Sequence, residues 1–182
     1  MSTNTHWDAG SAAISDDGMY RYSLTRAWSA GPAAVFIGLN PSTADGTEDD
    51  PTIRRCVGFA KRWGCGTLVM LNLYAYRATN PGDLVDVLEA GIDIEGLFNW
   101  VYWNKHLRLV RPTSVVAAWG STASTLRLPP SKALSACDSY MQCLGLTKGG
   151  YPRHPLYIKG DTPLQHYPPA YAGSRHVVNP VY

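Results

Sequence analysis

The sequence lacks the features that mark several classes of protein. Its four cysteines form no C-x-x-C pair, no apolar run is long enough to span a bilayer, and there is no internal repeat or low-complexity block. These absences argue against a locally spaced zinc or iron–sulfur site and against a transmembrane protein. The formal net charge is only +2 at pH 7. A nucleic-acid partner would therefore need a local basic patch, because the chain as a whole creates no strong field.

Residues 1–10 contain no basic segment followed by an apolar one, so no secretory signal peptide is expected. The cysteines are interpreted as reduced thiols that mostly pack in the interior, which predicts a cytoplasmic protein. These cysteines are Cys56, Cys65, Cys137 and Cys143.

The chain has 182 residues, of which 45% are hydrophobic. This is enough for one globular domain with a substantial core. We expect a flexible or edge-like N-terminal segment over 1–18, a single α/β domain over 19–160, and an irregular C-terminal tail over 161–182 that packs on the domain.

Short apolar runs that end in polar turns alternate with helical segments, which predicts an α/β fold with a mainly parallel sheet. The predicted strands are Tyr20–Trp28, Ala33–Leu39 at the centre of the sheet, Thr67–Leu73, Val115–Trp119 and Met141–Leu146. Gly31-Pro32 is interpreted as a hairpin turn or a strand entry between the first two. Three helices are predicted. The first starts at Asp50-Pro51 and ends near Trp63, the second starts at Asp83, and the third runs from Asp93 to Arg108 and is stopped by Pro112.

The chain is organised around the stretch Ala33–Asp50, in which a buried strand leads into a polar and acidic loop. Ligands of open α/β sheets bind outside the carboxyl ends of the strands, so this loop is a candidate site. The alternative is a polar loop that only caps the following helix. Two further loops follow strands in the same way, Asn72–Asn80 and Arg153–Leu156. We expect the three loops to converge on one edge of the sheet.

The residue types in these loops suit recognition of a nucleobase. A side-chain amide can donate and accept at the edge of a base. A histidine can donate to a carbonyl oxygen as negative charge develops there, and an aspartate or asparagine can hold or activate a water.

Four motifs follow one another in a characteristic order: GLNPS at 38–42, NLYAYRATNP at 72–81, VVAAWGSTA at 115–123 and RHPLY at 153–157. In this order they resemble the loops of the uracil-DNA glycosylase superfamily. Over most of its length the chain also resembles a bacterial and phage family known as domain of unknown function 1643. The resemblance implies a three-layer α/β/α sandwich with a mainly parallel central sheet, of the uracil-DNA-glycosylase type.

The resemblance also implies cleavage of the N-glycosidic bond of a uracil-like or modified base, in DNA or in a nucleotide. Asn40 would position the water, or leave that role to a neighbouring aspartate, while His154 would donate to the base. The implied catalytic residues are Asn40, His154, Asp45 and Asp49. The implied substrate-binding residues are Gly38, Leu39, Pro41, Ser42, Asn72, Tyr74, Tyr76, Arg77, Gly120 and Arg153. No cofactor and no metal ion is expected.

Two departures from the superfamily pattern leave the substrate open. Leu156 and Tyr157 stand where typical members have a Ser-Pro pair that presses on DNA phosphates. The acidic loop beside the site would repel a phosphate backbone unless a cation neutralises it. A free nucleoside, a nucleotide or a modified base is therefore as compatible with the sequence as uracil in single-stranded or flipped-out DNA. No membrane partner is expected.

Two other classes of function compete with the glycosylase hypothesis. The first is a non-catalytic module that binds a nucleotide or nucleic acid on the same fold. The second is a metal-assisted nucleotide hydrolase or base-modifying enzyme, in which Asp45, Asp49 and Asp50 would supply oxygen ligands to Mg²⁺. Taken alone, Asp50 is more typical of a helix cap than of a catalytic residue.

Overall fold

A seven-stranded mixed sheet runs through the protein, whose structure is a computed structural model that describes residues 7–109, 112–129, 131–136 and 140–167. The strands in chain order are β1 (Ala9–Ile14), β2 (Arg21–Ala27), β3 (Ala33–Gly38), β4 (Thr67–Asn72), β5 (Ser114–Ala117), β6 (Gln142–Cys143) and β7 (Gln165–His166). Their order across the sheet is β1-β2-β4-β3-β5-β6-β7. The four inner strands β4, β3, β5 and β6 are parallel, and β1, β2 and β7 are antiparallel to their neighbours.

Helices cover both faces of the sheet. They are α1 (Pro51–Arg62), α2 (Asp83–Glu89), α3 (Asn99–Asn104) and α4 (Thr122–Thr125). A π-helical turn, Lys105–Leu109, extends α3, and 3₁₀ turns occupy Lys132–Ala136 and Pro155–Tyr157. None of the described helices is long and apolar enough to cross a membrane.

The central strand β3 is buried on both faces because its side chains alternate between two apolar clusters. Val35 and Ile37 pack with the buried Trp103 of α3, whereas Ala34 and Phe36 pack with the apolar side of α1. The central position predicted for this strand is therefore confirmed. A strand buried on both faces reads as a continuous apolar run, which is why β3 could be recognised from the sequence.

Helix α1 has the start that the sequence predicts. Asp50 is its N-cap and accepts a hydrogen bond from Ile53 N at 2.8 Å, and Pro51 is the first helical residue. An N-cap oxygen and a proline at the first position are the usual combination at a helix start. The helix ends at Arg62, before Gly64.

Strand β2 does not form a hairpin with β3, which corrects that interpretation of the Gly31-Pro32 turn. It pairs instead with β1 and β4. Strand β1 lies within the segment 1–18 that was expected to be flexible or edge-like, and Ala9–Ile14 form an edge strand of the sheet. Its residues are mostly small and carry no apolar alternation, and the strand depends on backbone pairing with β2.

The long helix predicted over 93–108 is present only as α3 and its π-helical extension. The chain before it pairs with the backbone after β4, because Ala75 N donates to Glu95 O at 3.1 Å and Tyr76 N donates to Ile94 O at 3.0 Å. These bonds commit the backbone of residues 94–95 to the segment after β4, outside any helix. Leu97 is consequently 80% exposed rather than part of a buried stripe.

The predicted strand Met141–Leu146 is reduced to the two residues of β6, and the tail contributes the short edge strand β7. The remainder of the tail, residues 168–182, lies outside the described residues, as does Cys137. The other three cysteines are buried free thiols. They are Cys56, Cys65 and Cys143.

Candidate active site

The sheet topology opens a crevice at the carboxyl ends of β3 and β5. After β3 the chain continues into α1, which packs on one face, and returns as β4 beside β3. Strand β5 lies on the other side of β3. After β5 the chain continues into α4, whose Ala123 packs on the face of the sheet opposite to α1. Loops that leave two neighbouring strands towards opposite faces leave a crevice between them, and ligands of open α/β sheets bind there.

A cavity of about 320 Å³ occupies this crevice. Six of the residues predicted from the sequence line it: Gly38, Leu39, Asn40, Ser42, Gly120 and His154. The polar lining residues outside the predicted catalytic and substrate-binding sets are Arg21, Asp50, Thr52, Thr79 and Thr122, of which Asp50 was named only in the alternatives. The apolar or aromatic ones include Ile53, Met70, Trp119 and Tyr157. The loops after β3 and β5 and the His-Pro turn therefore meet at one site.

The Asn40 amide is oriented by the loop that follows β4. Its Nδ2 donates to Ala78 O at 2.8 Å and to Pro41 O at 3.0 Å, and Ala78 N donates back to Pro41 O at 2.9 Å. Both amide hydrogens are used in these contacts, so Oδ1 is the atom that Asn40 can offer to a ligand. An acceptor in this position can hold a water or accept from a ligand N–H group.

Asp50 combines a structural role with a place in the cavity wall. One carboxylate oxygen caps α1, and the residue also lines the cavity. Because a carboxylate has two oxygens, the second can accept from a ligand or a water.

A buried arginine lies beside the cavity. Arg21 is only 2% exposed, and its guanidinium donates to Ala44 O at 2.7 Å and to Asn72 Oδ1 at 3.4 Å. Burial lowers the pKa of Arg21 to about 10, and the Asp50 carboxylate offsets part of this effect. The side chain is therefore a cation at neutral pH.

His154 stands at the mouth of the cavity at the start of the 3₁₀ turn Pro155–Tyr157. Its Nδ1 accepts a long hydrogen bond of 3.4 Å from Leu156 N, which places the proton of the neutral ring on Nε2. Burial lowers the pKa of His154, and the opposing effect of Asp50 is smaller. His154 is thus a neutral hydrogen-bond donor above its lowered pKa.

Helix α1 fixes the turn that carries His154. The Arg55 guanidinium donates to the backbone carbonyls of Pro155 and Ile158. On the other side, the position that a Cβ would take at Gly120 is 3.7 Å from His154 Cβ, so the loop after β5 lies against the turn. The helix that begins at Asp50 therefore also positions His154.

Two predicted catalytic carboxylates are not in the cavity lining, which corrects their assignment. Asp45 accepts from Thr47 N, Thr47 Oγ1 and Glu48 N, so it closes its own turn, and these backbone hydrogen bonds lower the pKa of Asp45. Asp49 pairs with Arg26 Nε at 2.8 Å and accepts from Trp7 Nε1 at 2.8 Å. Both carboxylates stabilise the shape of the loop.

Four of the predicted substrate-binding residues lie in or after β4 and are not among the residues that line the cavity. Asn72 is 2% exposed, and its Nδ2 lies 2.8 Å from the position that a Cβ would take at Gly38. Tyr74 donates to Pro129 O, and Arg77 donates to Gly18 O at 3.1 Å. Tyr76 packs edge-on against Tyr20. These side chains therefore make contacts within the protein, and the expectation that they also contact a ligand stays a prediction.

The two remaining predicted residues are Pro41 and Arg153. Pro41 is buried and contributes its carbonyl to the contacts with Asn40 and Ala78. Arg153 does not line the cavity. It lines a neighbouring groove, and His154 forms part of the wall between this groove and the cavity.

Sequence reasoning missed Arg21 as a site residue and treated Asp50 mainly as a cap. Arg21 lies in a strand, where alternation alone predicts a solvent-facing side chain, and its burial depends on the loop after β3 folding over it. A usable signal was the excess of acidic residues in that loop, which calls for a buried cation nearby. Trp119 could have been found, because it directly precedes the strand-to-helix turn at Gly120.

Within the described ranges, no group of three or more histidine, cysteine, aspartate or glutamate side chains could hold a metal ion. The three aspartates of the metal-assisted hypothesis face different partners. Asp45 closes its turn, Asp49 pairs with Arg26, and Asp50 caps α1. These three carboxylates therefore do not converge on one position that a metal ion could occupy, as the metal-assisted hypothesis requires.

Comparison with known proteins returns one match. A family described as Protein of unknown function (DUF1643) matches residues 21–156, which include every residue named above as lining the cavity except Tyr157. No curated protein and no solved structure matches the chain.

Proposed function

We propose that this chain, which belongs to the DUF1643 family, is a nucleobase- or nucleoside-processing enzyme that hydrolyses an N-glycosidic bond. The observation that carries the proposal is the meeting of Asn40, Asp50 and His154 in one cavity at the crevice of the sheet. These residues supply acceptors for a water and a neutral donor for a base, which are the groups that glycosidic hydrolysis requires.

Size and surroundings support a ligand of this kind. A cavity of about 320 Å³ falls at the lower end of the range of roughly 300–1,000 Å³ for small-molecule sites. Trp119 and Ile53 give it apolar walls, and the exposed Tyr157 stands at its rim. A flat aromatic base with a polar edge matches such walls. Helices on both faces of a partly parallel sheet also support the resemblance to the three-layer uracil-DNA-glycosylase sandwich.

The proposed step is an attack by water on the anomeric carbon of the sugar. Asn40 Oδ1 and the Asp50 carboxylate hold the water, and the carboxylate accepts one of its protons. The bond from the sugar to the base nitrogen breaks, and its electron pair leaves with the base. His154 Nε2–H donates a hydrogen bond to a base carbonyl oxygen, where the negative charge collects. Protonation of the departing base and a free sugar hydroxyl complete the hydrolysis.

The test is a panel of substrates with mass-spectrometric detection of released base. It includes single- and double-stranded DNA that carries uracil, mismatches or modified pyrimidines, together with free nucleosides and nucleotides. We expect release of one base by the wild-type chain and loss of release in Asn40→Ala and in His154→Ala. Asp45→Ala, which removes a carboxylate of the same loop outside the cavity, is the matched control and should retain release.

Full activity in both Asn40→Ala and His154→Ala would overturn the proposed mechanism. Absence of release from every substrate, together with a rise in melting temperature on addition of one ligand, would favour the non-catalytic binding module instead.

A further inference from the structure

A second groove opens beside the cavity and shares its wall. Its volume is about 370 Å³, and four residues, Gly120, Thr122, His154 and Tyr157, line both spaces. A ligand that fills the cavity can therefore extend past His154 into the groove.

The two spaces differ in charge. The cavity contains one charge of each sign, the Asp50 carboxylate and the Arg21 guanidinium. The groove is lined by Lys148 and Arg153 and by the hydroxyl side chains of Ser121 and Thr147, with no acidic residue in its described lining. Two cations beside hydroxyl donors form a surface that favours an anion with several oxygen acceptors.

Arg153 is held in place rather than free on the surface. Its Nε donates to Leu146 O at 3.0 Å, and its backbone N donates to Gly145 O at 2.9 Å. Gly145 has a φ of +117°, a backbone conformation that favours glycine, and the position that a Cβ would take there lies in ordinary contact with Arg153 Cδ at 3.7 Å. Within the described residues, no hydrogen bond engages the two terminal nitrogens of the guanidinium, which leaves them for an anion.

Lys148 is presented by a tight turn that is fastened to the loop after β5. Thr147 N donates to Tyr151 O at 2.8 Å, and Gly150 N donates to Thr147 O at 3.0 Å. Tyr151 Oη donates to Ser124 Oγ at 2.5 Å, which ties this turn to α4. The backbone that carries Lys148 and the side chain of Arg153 are therefore held in place relative to the cavity.

We infer that this groove binds the phosphate of a phosphorylated nucleoside whose base occupies the cavity. The inference rests on the proposed function and names its substrate class as a nucleotide rather than a free nucleoside. The shared wall at His154 would then lie beside the sugar, between the base and the phosphate. The phosphate can belong to a free mononucleotide or to a nucleic-acid strand.

The test is a calorimetric titration of the full chain with deoxyuridine, deoxyuridine 5′-monophosphate and deoxyribose 5-phosphate, replaced by the corresponding compounds if the panel identifies another base. We expect the nucleotide to bind roughly tenfold or more tightly than the nucleoside, because hydrogen bonds to a charged group are strong. The double variant Lys148→Gln, Arg153→Gln should remove this preference and also weaken binding of deoxyribose 5-phosphate. Lys159→Gln removes an exposed charge outside both spaces and should bind like wild type.

Equal affinity of wild type for nucleoside and nucleotide, or a preference that survives in the double variant at an unchanged melting temperature, would overturn the inference. Base release in the panel would still support the proposed function in that case. The converse outcome is that deoxyribose 5-phosphate binds in a way that depends on both cations while no base is released. This result would support phosphate binding in the groove and contradict the proposed glycosylase activity.

Oligonucleotides of one to ten residues separate the two sources of the phosphate. If affinity does not rise with oligonucleotide length, the ligand is a free nucleotide. Affinity that rises with length and falls with salt assigns a strand, because further phosphates then release counterions.

Discussion

The loops that follow β3 and β4 look alike in sequence but differ in what they present to the cavity. Each follows a buried strand and each is rich in polar groups. After β3, Asn40, Ser42 and Asp50 line the cavity. After β4, the larger polar side chains turn into the protein, and the loop offers the cavity only Ala78, Thr79 and Pro81. The second loop therefore mainly supports the first.

Backbone pairing explains the difference. Gly38 and Asn72 are direct partners in the parallel ladder, and the Asn72 amide packs against the face of Gly38 that has no side chain. The chain after Asn72 then pairs with residues 94–95 and with Tyr20, which commits Tyr74 and Tyr76 to the interior. A polar residue at the end of a strand reaches a ligand only if its neighbours leave the loop backbone free.

The largest expected effect comes from Asp50→Asn. Asparagine caps a helix about as well as aspartate, so α1 should keep its stability. Loss of the charge that accepts a proton from water should lower turnover roughly a hundredfold to ten-thousandfold. Rates of base release and thermal melting would measure the two effects separately.

A fall in melting temperature in parallel with activity would contradict this assignment, since Asp50 would then act only as a cap.

The neighbouring residue should behave in the opposite way. Asp49→Ala removes the carboxylate partner of Arg26, which is 0% exposed, and leaves the buried cation with backbone carbonyls such as those of Asp45 and Glu48 but without its counter-charge. We expect a loss of about 3–5 kcal/mol in the free energy of unfolding, with turnover largely retained in the folded fraction. Chemical denaturation gives the stability, and the rate per folded molecule gives the turnover. An Asp49→Ala variant that is stable but inactive would contradict this prediction and indicate that the Asp49 carboxylate takes part in catalysis.

A smaller effect is expected in the loop after β4. Tyr74→Phe leaves the carbonyl of Pro129 without the hydroxyl that donates to it, at a cost of about 1 kcal/mol in stability. Affinity for the base should not change, because the Tyr74 ring is buried outside the cavity. Ligand titration with the variant checks this. A large loss of affinity would mean that the second loop also contacts the ligand, and the contrast between the two loops would fail.

The smallest expected effect is the pH dependence just below neutrality. Burial holds the pKa of His154 below its ordinary value of 6.5. More than half of this histidine is then still neutral at pH 6.5, so turnover at that pH should be at least about half of its value at pH 8. The rate should fall at lower pH as Nδ1 becomes protonated. A rate that drops severalfold between pH 8 and pH 6.5 would contradict the lowered pKa.

His154 also links stability to pH with a defined sign. Well above pH 6.5 neither the folded nor the unfolded chain protonates this residue, so it contributes nothing to the pH dependence of stability. Below 6.5 the unfolded chain takes up the proton first, and the free energy of unfolding falls until the pH reaches the lowered pKa of the folded state. His106 has a pKa lowered by burial and acts in the same direction. His154→Gln should therefore reduce this loss of stability without abolishing it.

The sequence predicts those parts of the fold that depend on local chemistry. The run Ala33–Gly38 and the Asp50-Pro51 helix start were recognised because burial on two faces and capping each leave a pattern in a few adjacent residues. Strand β1 leaves no such pattern, since its small residues depend on a partner strand that is distant in the chain.

The site was predicted in part for the same reason. Asn40 and His154 follow strands or turns whose direction is set locally, and both reach the cavity. Asn72 follows a strand equally closely, yet its direction depends on Gly38 in the neighbouring strand. The burial of Arg21 depends on a loop more than twenty residues away. Contacts of this kind become visible only once the register of the sheet is known.

The contact between Trp7 and Asp49 has a practical consequence for fragments of this protein. A chain shortened to the segment from residue 19 onward would keep every residue that lines the cavity but lose Trp7 and β1. The backbone of β2 would then be an open edge, which favours aggregation of the shortened chain with other copies. The loop that carries Asp50 would also lose one of the two side chains that hold it through Asp49. Low yield or low activity of such a fragment would therefore reflect an unprotected sheet edge rather than a defect in the chemistry.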